Sequence, residues 1–308
     1  MKKNSFLASE YVPAPARLAA YHVIPVPMET SVSYGGGTAA GPNAILAASQ
    51  QLEATDGRFA PGRAGIHTQP AVSCSGAPAQ VIARVEGRVA RALAAGAAPL
   101  ILGGEHTVTL GAARAFQAAG MKVGFVQFDA HADLRDAYEG SALSHASVMR
   151  RVSELGFPII QFGVRALCAD EADYRRQNGV IAYDAERLAR RPLPSRLIPA
   201  GFPKLVYITF DVDGLDPAVM PATGTPVPGG LFWQDAMLLL ERIAAGRRVV
   251  GADVVELAPI RGLHHADFTA ALLAHRLMGL MGEGTPNIQR NSPGIQRKTC
   301  AGCARAVH

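Results

Sequence analysis

Val123-Gly-Phe-Val-Gln-Phe-Asp-Ala-His-Ala-Asp133 decides how this chain is read. Its first half is a short apolar run of strand character, and its second half sets Asp129, His131 and Asp133 at every other position. Residues i, i+2 and i+4 of an extended segment point to the same side, so the three side chains can converge on one site. A buried strand has no structural use for such groups at its end, because buried carboxylates are paired or bind metal. Two other stretches repeat the arrangement. Leu205-Val-Tyr-Ile-Thr-Phe210 runs into Asp211-Val-Asp-Gly-Leu-Asp-Pro217, and Leu100-Ile-Leu-Gly-Gly-Glu105 runs into His106.

Outward from these strings, short apolar runs alternate with helix-length amphipathic stretches. That is the pattern of an α/β chain whose parallel sheet is covered on both faces. Strands are expected at residues 22–26, 100–102, 122–128, 159–164, 180–183, 205–210 and 249–255. Helices are expected at 42–52, 78–95, 108–119, 144–155, 170–178, 233–244 and 267–282, with Thr107, Ser144 and Asp267 suited as N-caps. The glycine-, proline- and polar-rich stretch 56–76 reads as a surface loop. With no repeat, linker or composition break, residues 1–282 are expected to form one domain and 283–308 a disordered tail. Ligands in such folds collect beyond the carboxyl ends of the strands, where every acidic string falls.

A hydrophobic content of 49% supplies a core, and 18% charged residues argues against disorder. The net charge of +5 is spread over pairs such as Arg150-Arg151, Arg175-Arg176, Arg190-Arg191 and Arg247-Arg248. No aromatic-interleaved basic stripe accompanies them, so they read as solvated helix faces and not as a nucleic-acid surface. The N-terminus has no apolar signal-peptide core, and the longest apolar stretch, 92–102, is too short to span a bilayer. Four cysteines form no disulfide framework, which fits a reducing cytoplasm. Cys300 and Cys303 make a single Cys-x-x-Cys without the second pair a closed zinc site needs, and they read as free thiols on the tail.

His106, Asp129, His131, Asp133, Asp211 and Asp213 together offer six ligands, enough for two cations once carboxylates bridge. Oxygen-dominated ligation with some imidazole suits Mn²⁺ better than Zn²⁺. A water shared by two such ions loses a proton near neutral pH and becomes a nucleophile. Asp216, directly before Pro217, is better explained as a turn residue. Gly35-Gly-Gly-Thr-Ala-Ala-Gly41 lacks the dinucleotide-binding spacing, and Asp211-Val-Asp-Gly214 places its glycine too early for an EF-hand loop.

The strings resemble the ureohydrolase family of arginases and agmatinases. Gly103-Gly-Glu-His-Thr107, Asp129-Ala-His-Ala-Asp133, Ser144-His-Ala-Ser-Val-Met149, Thr209-Phe-Asp-Val-Asp-Gly-Leu-Asp-Pro217 and Asp253-Val-Val-Glu-Leu-Ala-Pro259 carry the likeness, which runs from Tyr34 to about Gly282. The resemblance implies a three-layer α/β/α fold around an eight-stranded, mostly parallel sheet. It also implies two Mn²⁺ on the six ligands and assembly as a homotrimer or homohexamer. Hydrolysis of a small guanidine to urea and an amine would follow, with Asp133 carrying a proton and His145 shuttling one. Glu256 resembles the carboxylate that grips the guanidinium. Taken alone, His145 reads equally as a surface residue and Glu256 as a salt-bridge partner.

The tract Asp129 to Gly140, followed by Ser144-His145, resembles agmatinases and aminopropylagmatine ureohydrolases. Arginases usually carry asparagine where Arg135 stands, which disfavours arginine as substrate. Facing the pocket, Arg135 would welcome a guanidino acid such as guanidinobutyrate; paired with Asp136 or Glu139, it would leave an acidic rim for agmatine. The second arrangement, and so agmatine cleavage to putrescine, is the expectation. His264-His265 reads as an exposed loop pair. A single-zinc deacetylase-like enzyme and a catalytically dead assembly subunit are the competing classes; both fit six filled ligand positions less well.

Overall fold

The computed structural model describes residues 5–190 and 193–283. Its centre is one sheet of eight strands: β1 (Tyr21–Val26), β2 (Ile66–Thr68), β3 (Ala98–Gly103), β4 (Val123–Phe128), β5 (Ile159–Phe162), β6 (Ile181–Tyr183), β7 (Leu205–Asp211) and β8 (Arg248–Val255). The order is β2-β1-β3-β8-β7-β4-β5-β6, and every pairing is parallel. Parallel neighbours require crossovers, and seven helices supply them: α1 (Gly41–Ala48), α2 (Pro78–Ala94), α3 (Thr109–Ala118), α4 (Val148–Glu154), α5 (Ala169–Asn178), α6 (Ala185–Ala189) and α7 (Trp233–Ala244), with α8 (His264–Glu283) following the last strand.

Strand side chains alternate between two cores. Val126, Phe128, Ile208 and Phe210 join Ile45 of α1, Leu240 of α7 and Leu277 of α8. Val123, Phe125 and Tyr207 join Val85 of α2, Phe116 of α3 and Met149 of α4. Three layers result, as the resemblance implied. The central strands are buried along almost their whole length, which is why they read as near-continuous apolar runs.

The seven strands expected from the sequence are all present. The eighth, β2, lies in stretch 56–76, which was expected to be loop. Three residues with His67 at their centre, paired only with β1, leave no periodic signature. Helix α6, five residues long, is likewise an addition. Ser144 caps a 3-10 turn at His145–Ser147 by accepting from the Ala146 amide. Thr107 and Asp267 cap nothing: Thr107 is buried inside the turn His106–Val108, and α8 already begins at His264. His264 and His265 are therefore exposed residues of a first helical turn and not a loop pair. Arg175 corrects the reading of arginine pairs as solvated faces, being only 8% exposed. Asp216 is the turn residue expected, accepting from the amides of Ala218, Gly229 and Gly230. Cys74 and Cys168 are free thiols, whereas Cys300, Cys303 and almost all of stretch 283–308 lie outside the described residues. Among those described, no helix is long and apolar enough to cross a membrane.

Candidate metal centre

The loops leaving β3, β4 and β7 bring all six predicted ligands together at the carboxyl end of the sheet. His106 Nδ1 lies 3.2 Å from Asp129 Oδ2, 3.0 Å from Asp133 Oδ2 and 3.5 Å from Asp211 Oδ2. His131 Nδ1 lies 3.5 Å from Asp129 Oδ1 and 3.0 Å from Asp213 Oδ2. Two groups able to hold a cation result, His106–Asp129–Asp133 and Asp129–His131–Asp213, with Asp129 common to both.

Local backbone structure holds each ligand. A Cβ on Gly104 would lie 2.0 Å from the Met28 carbonyl oxygen, so only glycine lets the chain reach His106 along this path. Asp211 Oδ1 accepts from the Asp213 amide at 2.9 Å, and Asp213 Oδ1 accepts from the Ala130 amide at 2.9 Å. Asp133 and Glu256 are non-glycine residues at positive φ, +54° and +64°. Such strain persists only where the surroundings over-determine it, and it clusters at functional sites.

Beneath the ligands, four polar side chains occupy one register row across β8, β7, β4 and β5: Asp253, Thr209, Gln127 and Gln161. All four are fully buried. Thr209 donates its hydroxyl to Asp253 Oδ1 at 2.8 Å, so its oxygen accepts from His106 Nε2 at 2.7 Å. This network assigns the imidazole proton to Nε2 and leaves the Nδ1 lone pair facing the carboxylates. Buried Nδ1 has no hydrogen-bond partner. With Nε2 tied to Thr209, Nδ1 is the atom turned to the carboxylates, where it can exchange a proton for a cation, so the residues fit a metal centre.

The electrostatics agree. Burial drives Asp211 well above the ordinary carboxylate range, with Asp213 and Asp129 adding to the effect. Burial and Asp129 push Asp133 up to about 7. Burial pulls the His131 imidazole down, but Asp129 and Asp213 outweigh it and raise it to about 11. So many buried acids are relieved by cations.

A small cavity of about 30 Å³, enough for a water, opens onto His131, Asp133, Asp211, Asp213 and Glu256. Glu256 Oε1 accepts from the His106 amide at 2.6 Å, and burial raises its proton affinity. His145 stands at the same cavity, Nδ1 at 2.9 Å from Ser31 Oγ and Nε2 at 2.8 Å from Ser33 Oγ. Burial lowers its pKa below the ordinary histidine value. The serine loop is itself held by buried Glu105, which accepts from the amides of Thr30 and Ser31. A larger cavity of about 420 Å³ shares Ser33, His131, Asp133, His145 and Thr225 and extends toward Tyr138, Leu167 and Glu171.

Arg135 lines that larger cavity, but its expected partner is corrected. Asp136 pairs with Arg150 and Arg151 at 3.2 and 3.1 Å. Arg135 instead has its Nε 4.0 Å from Glu171 and its guanidinium over the Tyr138 ring. The reason is alternation: Asp136 points toward α4, where two arginines already sit. His264 and His265 line neither cavity.

Gln127, Gln161, Thr209, Asp253, Glu105, Ser31 and Ser33 have no role legible in the sequence by itself. Its available signal was a polar residue two places before the last strand or ligand position, in Val-Gln-Phe-Asp129 and Ile-Thr-Phe-Asp211.

The arginase-family model matches residues 19–282. The N(1)-aminopropylagmatine ureohydrolase of Synechocystis sp. is 39% identical over 291 residues, covering 91% of this chain and 94% of that protein. The agmatinase of Pyrococcus horikoshii is 33% identical, covering 85% and 92%. The agmatine ureohydrolase structure of Thermoplasma volcanium superposes with a TM-score of 0.78 at 28% identity, covering 91% of this chain and 94% of that one.

Proposed function

The chain belongs to the arginase family of guanidino-group hydrolases, and we propose that it releases urea from a guanidine carried on a linear polyamine, using two Mn²⁺ per chain. The observation that carries this reading is the pair of histidine–carboxylate groups sharing Asp129 at the foot of a cavity that Glu256 also faces. His106, Asp129 and Asp133, with Asp211 beside them, would hold one ion, and Asp129, His131 and Asp213 the other. Hard oxygens with two imidazoles and no thiolate suit Mn²⁺. When bound, such a pair supplies Lewis acidity and a water that ionises near neutral pH.

The chain's own residues do the rest. A guanidinium is planar and presents paired donors, so the Glu256 carboxylate suits it and recovers its charge beside that cation. Attack of the water oxygen at the guanidinium carbon gives a tetrahedral adduct. Its collapse to urea needs a proton on the departing amine nitrogen. Asp133, which lines the same small cavity as the attacking water, can carry that proton. His145, kept neutral by burial and fixed by Ser31 and Ser33, stands where the two cavities meet and can exchange it with solvent.

The tail cavity of about 420 Å³ has room beyond agmatine, which supports an aminopropyl-extended agmatine as the preferred substrate and agmatine itself as the shorter member of the same class. The named activities of the relatives support the same choice. One observation favours a second reading: Arg135 lines the tail cavity with Asp136 turned away, which would suit guanidinobutyrate. We further propose that the chain assembles as a homotrimer or homohexamer, which light scattering tests.

Urea release from the Mn²⁺-loaded protein, with aminopropylagmatine, agmatine, guanidinobutyrate and arginine offered in parallel, tests the assignment. A polyamine guanidine turned over by a wide margin is the expected result. Preference for guanidinobutyrate, abolished by Arg135→Ala, would establish the second reading. Silence on all four with two ions bound would sink the reaction and leave the metal centre.

A further inference from the structure

One face of the metal centre is joined to the far edge of the sheet by a chain of buried amides. Arg175, on α5, donates from Nε to Gln161 Oε1 at 2.7 Å, while its Nη1 holds Asp184 at 3.0 and 3.2 Å. Arginine carries donors only. The Gln161 oxygen must therefore face Arg175, and its Nε2 must face the other way, to Gln127 Oε1 at 2.5 Å and the Ala132 carbonyl at 2.7 Å. Gln127 then has its own orientation imposed: its Nε2 turns to Asp129 Oδ2 at 2.7 Å and to the His131 carbonyl at 3.3 Å. Gln127, Gln161 and Asp129 are fully buried, so water does not compete with these bonds.

We propose that Arg175, Gln161 and Gln127 are positioning residues, a hydrogen-bond relay of fixed polarity that orients Asp129 and thereby sets the affinity of both cation sites. The inference rests on the two-cation reading above. Asp129 is the carboxylate common to both groups, so tilting it weakens both at once. A side-chain amide keeps its shape on a 180° flip and exchanges only donor for acceptor. What prevents the flip at Gln127 is the donor-only guanidinium two links away, acting together with the Ala132 and His131 carbonyls, which can only accept. Reversed, Gln127 would set its oxygen against Asp129 Oδ2 and push the carboxylate out of place. Partners of metal ligands commonly change affinity by about 10–100-fold when replaced.

Gln161→Glu separates a relay from a structural tie. Glutamate keeps a stronger partner for Arg175 but cannot donate to Gln127 or to Ala132. Gln127 is then drawn to donate to residue 161 and to turn its oxygen on Asp129. Mn²⁺ affinity would be measured by titration against a chelating indicator, together with thermal unfolding of the metal-free protein. Expected is binding weaker by about tenfold or more at both sites in the folded variant, with the metal-free unfolding temperature lowered only by the donors lost at residue 161. Gln127→Met, which removes the donor without adding charge, should weaken binding in the same direction and carries the test if Gln161→Glu does not fold. Folded variants that bind Mn²⁺ as the wild type does would overturn the relay. A wild-type protein that binds no Mn²⁺ would overturn the two-cation reading itself.

Discussion

Near the carboxyl end of β7, β4 and β5 the two faces of the sheet carry opposite chemistry one residue apart. On one face Phe210, Phe128, Phe162 and Tyr183 stack across four strands, with neighbouring ring centroids at 4.9, 5.2 and 5.1 Å. On the other, Asp253, Thr209, Gln127 and Gln161 form a fully buried polar row. The aromatic row gains from area removed from water and from ring contacts, neither of which demands a particular side-chain direction. The polar row has little to gain in net stability, because its bonds replace bonds to water. Its return is direction: Thr209 is aimed at His106 and Gln127 at Asp129, and Asp253 and Gln161 orient those two. Strand alternation thus separates what holds the sheet from what aims the site.

Asp213→Ala should have the largest effect. It removes the carboxylate that holds His131 at 3.0 Å and one arm of the second cation group. With several kcal/mol of transition-state stabilisation tied to the metals, turnover should fall by about 10³-fold or more, while circular dichroism of the variant stays native. Urea release near the wild-type rate would remove Asp213 from the centre. Phe162→Ala is the reciprocal experiment on the other face. Emptying a fully buried ring between Phe128 and Tyr183 should cost about 3–5 kcal/mol of stability. Mn²⁺ affinity of the folded variant should stay close to wild type; a large loss would show that the two faces are not separable.

Solution pH sharpens the contrast, since the carboxylates and imidazoles of the centre all stand on the polar side. Burial would lower both ligand imidazoles, but the aspartates around them prevail, holding His131 up to about 11 and His106 well above its ordinary value. A cation must displace those protons, so acid favours the proton and alkali favours the metal. Mn²⁺ affinity should therefore rise with pH, roughly tenfold per unit for each proton displaced. Isothermal titration at several pH values measures the slope, and a flat profile would contradict the assignment of the imidazoles as ligands.

The sequence made the ligands legible because they stand at or just beyond the strand ends, where alternating charge has no competing explanation. It made the sheet legible because fully buried parallel strands are apolar on both faces. The polar row was hidden for the same reason: Gln127 and Thr209 sit inside runs whose apolar character dominates, and a lone polar residue there passes for noise. Only the register that sets Gln127 beside both Thr209 and Gln161 gives these residues a common purpose. Arg135 was undecidable for a different cause. Asp136 and Glu171 are both available acids, and tertiary placement alone selects Glu171. β2 was missed because three residues carry no period.

Thr209→Val should have the smallest effect of the set, and it is the most exacting test of the polar row. Valine matches threonine in shape, so packing is preserved and the aromatic face is untouched. What disappears is the oxygen between His106 Nε2 and Asp253 Oδ1. Asp253 retains donors from Thr109 and Tyr207, at 2.8 and 2.9 Å, so its burial stays compensated. His106 keeps no such substitute, and the preference for the Nε2–H tautomer that leaves Nδ1 free for a cation is lost. One hydrogen bond to a ligand is worth about 1 kcal/mol, so Mn²⁺ affinity should fall by several-fold to about tenfold, with stability lower by about 1–3 kcal/mol for the buried His106 donor left unpaired. An equal loss of stability without loss of affinity would make Thr209 a packing residue, and the division between the two faces would then begin only at Gln127.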